Sequence, residues 1–156
     1  MRRKTVEEYV ETIFVLEKKE GAAHTGKIAE VMGVKPPSVT EMLQKLQESG
    51  FVKYKPFIGA NLTSSGKNKA RKLMDRHRVI ADFIEILGVD RELAEIDACQ
   101  LEHHVSETTM QRLEKFVEFV RDSPQDPRWM EHFKHYLKTG VKIGCGSCME
   151  ENKFDP

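Results

Sequence analysis

The sequence predicts a mainly α-helical protein with one small β-hairpin, and three observations carry that prediction. Apolar residues recur at helical spacing through most of the 156 residues, with charged residues filling the positions between them. Breakers separate the periodic stretches, at Gly21, Gly33, Gly50, Gly88 and the Pro-containing segment 123–127. Strand-like alternation is confined to Phe51-Val-Lys-Tyr-Lys55, followed by a Pro/Gly turn and a short return over Asn61-Leu-Thr63.

Residues 4–19 form the first predicted helix. Val6, Tyr9 or Val10, Ile13 and Leu16 make its apolar stripe, and Gly21 ends it. Glu8 and Glu11 lie beside that stripe, three residues apart. They read either as a solvated acidic face, favoured near a helix N-terminus by the dipole, or as ligands. Thr25 is the expected N-cap of a short helix through Met32. Gly33 then makes a turn, and Val34-Lys35-Pro36-Pro37 opens a helix reaching about Ser49, with Val39, Met42 or Leu43, and Leu46 inward. Proline fits the first helical turn because its missing N–H would have no partner there. Helix, Gly-containing turn and helix, with Ala29 small enough for close approach, is the helix-turn-helix pattern. A generic helical hairpin shares that pattern. The β-hairpin directly after it makes a wing and favours the winged helix-turn-helix, with Lys53 and Lys55 placed to reach phosphates.

Ser64 or Ser65 is expected to cap a long helix over 65–88, which opens with Lys67, Lys69, Arg71, Lys72, Arg76 and Arg78. Leu73, His77, Ile80, Ile84 and Leu87 share one face of it, so His77 is either a core histidine or a ligand. No Pro/Gly/Ser-rich linker interrupts, and the helix is expected to join two halves rigidly. Asp90 starts the next helix, where Leu93, Ile96, Leu101 and Val105 supply packing. Ser106 caps another, with Met110, Leu113, Phe116 or Val117, and Val120 as its stripe, and Trp129, Phe133 and Leu137 mark a last helix. These helices carry more apolar surface than a small domain needs, which points to a homodimer.

The formal net charge is zero, yet its distribution is uneven. Residues 1–80 hold 16 Lys/Arg against 9 Asp/Glu, and residues 81–156 the reverse, 9 against 16. A basic half joined to an acidic half suggests a nucleic-acid module beside something else. Three cysteines are too few for a disulfide framework, no apolar run reaches membrane-spanning length, and the N-terminus leads into a charged helix, so a cytoplasmic location without membrane partners is expected. An enzyme is not expected: Glu102-His-His is not a zinc-protease motif, and no nucleophile and base show supporting spacing.

One stretch, Asp97-Ala-Cys-Gln-Leu-Glu-His-His-Val-Ser106, organises the rest. Cys99, Glu102 and His103 fall at i, i+3 and i+4, on one face if the segment is helical. Thiolate, carboxylate and imidazole together suit a divalent transition metal. The expected organisation is therefore a winged helix-turn-helix DNA-binding domain over 1–64 and a helical metal-binding and dimerisation domain over 65–140. A Cys-containing tail covers 141–156. In that tail, Cys145 and Cys148 form a CxxC that with His132 and His135 suits a Cys2His2 zinc site, and equally a redox pair or an unstructured end.

Val6-Glu-Glu-Tyr-Val-Glu11, Ile28-Ala with Gly33-Val and Pro37-Ser-Val-Thr40, Leu62-Thr-Ser-Ser-Gly66, Arg76-His-Arg78 and Glu102-His-His-Val-Ser-Glu107 occur in that order. In these motifs and their spacing, over about residues 4–122, the chain resembles the diphtheria-toxin-repressor family of metal-dependent transcription regulators. It is closest to the two-domain manganese-regulator branch without the SH3-like domain. The resemblance implies a homodimeric, metal-activated repressor of metal-homeostasis genes that binds palindromic double-stranded operator DNA. It places Glu8, Cys99, Glu102 and His103 on metal positions, and Glu11 and His77 beside a second ion sharing Glu102. It points to Lys35, Pro37, Ser38, Thr40 and Glu41 for DNA contact, with Lys45, Lys53 and Lys55 on phosphates. Cys99 follows the iron branch and Glu8 the manganese branch; the thiolate tilts the expectation to Fe(II), with Mn(II) as the alternative. A winged-helix regulator with a purely structural metal is the third reading. The iron branch's ancillary site is not expected, because Ala81 stands where it needs an acidic residue.

Overall fold

Arg3–Glu20 opens the chain as helix α1 in the computed structural model, which describes residues 3–123 and 128–143. Helices α2 (Thr25–Met32) and α3 (Pro36–Glu48) follow, then strands β1 (Val52–Lys55) and β2 (Gly59–Leu62). Helices α4 (Ser64–Ile86), α5 (Arg91–Leu101), α6 (Glu107–Arg121) and α7 (Arg128–Thr139) complete the described chain. The two strands pair antiparallel, Val52 opposite Leu62 and Lys55 opposite Gly59.

The N-terminal core draws one apolar stripe from each helix: Val10 and Ile13 of α1, Ile28 of α2, and Val39, Leu43 and Leu46 of α3 are fully buried. Gly33 adopts φ 64°, and the following Val34 N–H reaches Ala29 O at 3.1 Å, closing α2 and turning the chain into α3. Thr25 is not the N-cap of α2; His24 holds that position with no side-chain bond. The chain there is fixed by pairing instead, since Ala23 and Ala60 exchange two backbone hydrogen bonds of 2.9 Å and extend the wing by one bridge. Nor is Ser64 or Ser65 the cap of α4. Thr63 is: its Oγ1 accepts from Gly66 N–H at 3.1 Å and donates to Gly50 O at 2.7 Å, tying the helix start to the wing's base. A Cβ on Gly66 would sit 2.1 Å from Phe51 O, so this close approach requires glycine.

α4 spans both halves, packing on α1 near its start and on α5 and α6 farther along. In the second core, Ile80, Ala81 and Ile84 of α4 meet Ala94 and Ala98 of α5 and Met110 of α6. The expected packing role of Leu93, Ile96 and Leu101 is corrected: all three are largely exposed, because α5 lies close to α4 through two alanines. On α7 the buried residue is Met130, while Trp129 and Leu137 stay substantially exposed. Trp129 still contributes an aromatic row, 6.0 Å from Phe116, which meets Phe83 edge-on at 5.7 Å. Cys145 and Cys148 lie outside the described residues.

Candidate metal centre and nucleic-acid interface

α5 ends at Leu101, directly before two of the expected metal ligands. Glu102 is its C-cap, with its N–H still bonded to Ala98 O at 3.0 Å, and His103 lies in the turn that follows. The expected ligands therefore straddle the helix end: Glu102 keeps helical φ −55° and ψ −32°, and His103 opens the turn. Arg76 of α4 sets the turn: Nη2 donates to Glu102 O at 2.9 Å and Val105 O at 2.5 Å, and Nη1 to the Glu107 carboxylate at 3.1 Å. A guanidinium there satisfies carbonyls that the helix leaves without partners and matches the negative end of its dipole.

Among the described residues, Glu11, Glu102 and His103 each offer a ligand atom within 4.8 Å of the others. Glu11 comes from α1 and the other two from the end of α5, so the cluster spans both halves of the molecule. The side chains of Glu102 and His103 are almost wholly buried. His103 Nδ1 lies 3.1 Å from Glu7 Oε2, and its Nε2 lies 3.4 Å from Glu102 Oε1. Glu7 in turn takes an ion pair from Lys69 Nζ at 3.3 Å. Such a carboxylate behind a histidine fixes its ring and tautomer, as it does behind metal-bound imidazoles.

The charges in this cluster strain against one another. Burial, and then the Glu102 carboxylate, push the Glu11 carboxyl up to about 7. His77 Nδ1 lies 3.0 Å from Glu102 Oε2 and Nε2 lies 2.5 Å from Glu95 Oε2. Its hydrogen bond to Glu102 leads the effects that raise it to about 9, so at neutral pH its ring donates to both carboxylates. Glu95 falls below the usual carboxylate range, first through its hydrogen bond with His77, and also pairs with Arg91.

Of the six residues on expected metal positions, the structure gathers Glu11, Glu102 and His103, and sets His77 beside them through Glu102. Glu8 is half-buried and Cys99 exposed, and neither joins the gathered cluster. Sequence reasoning missed Glu7, which is one helical turn before Glu11 and on its side of α1; that i, i+4 spacing was the available signal. It also missed Glu95, and the buried Asp82, which holds Arg91 at 2.7 Å and Arg121 at 2.9 Å. His132 and His135 are half-buried on α7.

On α3, Lys35 is the N-cap, and Pro37, Ser38, Glu41 and Lys45 are exposed. The last four span about 100° of the helix circumference at 100° per residue, opposite the buried Val39, Leu43 and Leu46. Thr40 is half-buried, its hydroxyl donating to Pro36 O at 3.2 Å, and Glu41 pairs with Lys45 at 2.7 Å. Lys53 and Lys55 are exposed on β1, where Val52 and Tyr54 turn inward. Tyr54 N–H donates to Gln47 Oε1 at 2.7 Å and pins the wing to α3.

A helix with one exposed polar face, a wing beside it, and a buried carboxylate–imidazole cluster bridging to a second helical unit agree with two family models. Residues 1–60 match the iron dependent repressor N-terminal DNA binding domain, and residues 63–131 match its metal binding and dimerisation domain. The chain belongs to the iron-dependent-repressor family. Among relatives, an uncharacterized HTH-type transcriptional regulator of Methanocaldococcus jannaschii is 38% identical, over 76% of this chain and 96% of its own. The HTH-type transcriptional regulator MntR of Bacillus velezensis is 36% identical, over 78% of this chain and 86% of its own. Among solved structures, the metal-dependent transcriptional regulator MtsR superposes with a TM-score of 0.66 at 29% identity, over 80% of this chain and 60% of that one. This member of the iron-dependent-repressor family is a metal-dependent, DNA-binding transcriptional regulator and not an enzyme. No helix among the described residues is long and apolar enough to cross a membrane.

Proposed function

We propose that the chain is a cytoplasmic repressor of metal-ion homeostasis genes, activated by Fe(II) or Mn(II) and acting as a homodimer on palindromic operator DNA. The observation that carries this reading is the convergence of Glu11 from α1 with Glu102 and His103 from the end of α5. Two carboxylates and an imidazole are donors that first-row divalent ions accept readily. A bound divalent ion would neutralise the Glu11 and Glu102 carboxylates. Glu11, Glu102 and His103 would hold it, Glu7 keeps the His103 ring oriented, and Arg76 keeps the carbonyls of the turn occupied. His77, whose Nδ1 lies 3.0 Å from Glu102 Oε2, is the candidate to complete the set or serve a second ion.

The division at about residue 64 gives this arrangement a purpose. α1 belongs with the DNA-binding part and α5 with the dimerisation part, so ligands from both couple the spacing of two recognition helices to metal loading. Without the ion, a proton must occupy Glu11 or its carboxylate faces that of Glu102, so the link between α1 and the α5 end weakens as Glu11 ionises above about pH 7. Choice of metal turns on Cys99. The gathered donors alone suit Mn(II); a Cys99 thiolate brought in from one turn before Glu102 makes Fe(II) the better fit.

Binding of fluorescently labelled operator duplexes, measured anaerobically with Mn(II), with Fe(II) and with chelator, tests the reading. Operator affinity that rises at least tenfold with metal is expected. Equal affinity with and without chelator overturns it in favour of a structural metal site. Comparison with Cys99→Glu assigns the ion: a shift of preference toward Mn(II) supports Fe(II) as the activator of the unmodified chain.

A further inference from the structure

The tip of the wing breaks the rules of its own turn. Ile58 N–H bonds to Lys55 O at 3.1 Å, making a four-residue turn over Lys55-Pro56-Phe57-Ile58. Pro56 at the second position and a positive φ at the third match a type II turn. The third position favours Gly or Asn, because other side chains crowd the backbone there. Here it is Phe57, at φ 65°, the one non-Gly residue with positive φ among the described residues. Its side chain is fully exposed, and neighbouring Ile58 is 61% exposed. An aromatic held in a costly conformation and buried against nothing gives nothing back to folding. Local conflicts of this kind concentrate where a protein meets its ligand.

The tip is also held in place. β1 is bonded to α3 through Tyr54 and Gln47, Ala60 pairs with Ala23, and Gly59 sits so close to Ala23 O that a Cβ would be 3.1 Å away. Lys53 and Lys55 line the strand that leads to it. A cationic stem ending in Pro, Phe and Ile has the chemistry of an apolar wedge. The lysines neutralise phosphates, and the tip reaches past them to the apolar faces of the bases.

We infer that Phe57, flanked by Pro56 and Ile58, enters the minor groove beside the half-site read by α3 and partly unstacks a base step. This rests on the DNA-binding reading above. It adds a contact that selects deformable steps, such as TA or CA/TG, outside the bases that α3 touches.

The test uses the full chain, loaded with Mn(II), on a duplex recovered by selection from a random pool with the unmodified protein. 2-Aminopurine is placed in turn at each step flanking the half-sites. The unmodified protein is expected to brighten the probe at one flanking step. Phe57→Asn, which suits the positive φ and should fold at least as well, is expected to abolish that signal. It should also weaken binding on the order of tenfold, with an unchanged salt dependence. Phe57→Trp should retain both. Lys53→Ala should instead lower the salt slope by about one. The inference is overturned if Phe57→Asn binds and brightens the probe as the unmodified chain does. It is equally overturned if the unmodified chain brightens no flanking step, or if Phe57→Asn changes the oligomeric state without DNA. Metal dependence is read separately, by adding chelator to the unmodified protein. Its absence sinks the metal-switch reading and leaves the wedge standing. Recovery of no duplex sinks both.

Discussion

At the residue scale, the proposed centre sets protons and a metal ion in competition for the same oxygen and nitrogen atoms. Glu11 is held near 7 and His77 near 9, so at neutral pH protons occupy positions that a cation would otherwise fill. Mn(II) affinity measured by isothermal titration should therefore fall as pH drops through about 7, approaching tenfold per pH unit for each proton displaced. Glu11→Gln should bind more weakly at every pH and lose part of that slope. The same shifts act on stability without metal. His77 has a folded value above its ordinary 6.5, so its stabilisation is complete below about 6.5 and is lost as pH rises through about 9. Glu11 is raised too, and its contribution works in the same direction between about 4.5 and 7. The melting temperature of the metal-free chain should thus decline from about pH 4.5 to about pH 9, and His77→Gln should flatten the part above about pH 6.5. Glu7 makes a different kind of contribution. Glu7→Gln preserves its size but weakens its hold on His103 and Lys69, and Mn(II) affinity should fall about 10–100-fold. An affinity within twofold of the unmodified chain would show that the ring is oriented by something else.

At the scale of elements, the sequence made the helices, the wing and their stops readable because each depends on local chemistry. Apolar spacing marks a stripe, glycine marks a turn, and Asp90 and Ser106 cap α5 and α6 as their positions suggested. What was hidden depends on which faces meet. Periodicity placed Leu93, Ile96 and Leu101 on a helix but could not show that Ala94 and Ala98 face α4. It also could not show that α5 stops at Leu101 and leaves Glu102 and His103 in a turn, since Arg76 comes from another helix. Glu11, Glu102 and His103 stood out as candidate ligands through their motifs, whereas the i, i+4 spacing of Glu7 and Glu11 gained meaning only once α1 met the turn. Gly66 illustrates the same limit. In sequence it sits inside a helix, where glycine is unfavourable, and only the carbonyl of Phe51 explains it. Gly66→Ala should destabilise the chain by about 1–3 kcal/mol in urea unfolding, because backbone at the wing's base must move to admit one methyl group. An alanine variant as stable as the unmodified chain would mean that the wing's base shifts freely.

For the whole molecule, α4 is the member on which both functions are mounted. Its first half carries Lys69, which pairs with Glu7 of α1, and its middle carries Arg76 and His77, which grip the turn after α5. Movement of α1 relative to α4 is thereby tied to the Glu11, Glu102 and His103 cluster, but a single winged helix reads only one half-site. Cooperation between two requires a second copy, and the exposed apolar side chains of α5 lie in the part matching a dimerisation domain. A charge at Ile96, which is 55% exposed, should cost little within one chain and much at an interface. Ile96→Glu is therefore expected to keep its helical circular dichroism. It should sediment as a monomer at concentrations where the unmodified chain is dimeric. Its Mn(II) affinity should stay within a few-fold, since Glu11, Glu102 and His103 all come from one chain. Its operator affinity should fall by orders of magnitude, because each half-site would be bound alone. If the variant remains dimeric and binds operator normally, the subunits meet elsewhere, and the exposed apolar surface of α7 at Trp129, Tyr136 and Leu137 becomes the face to charge next.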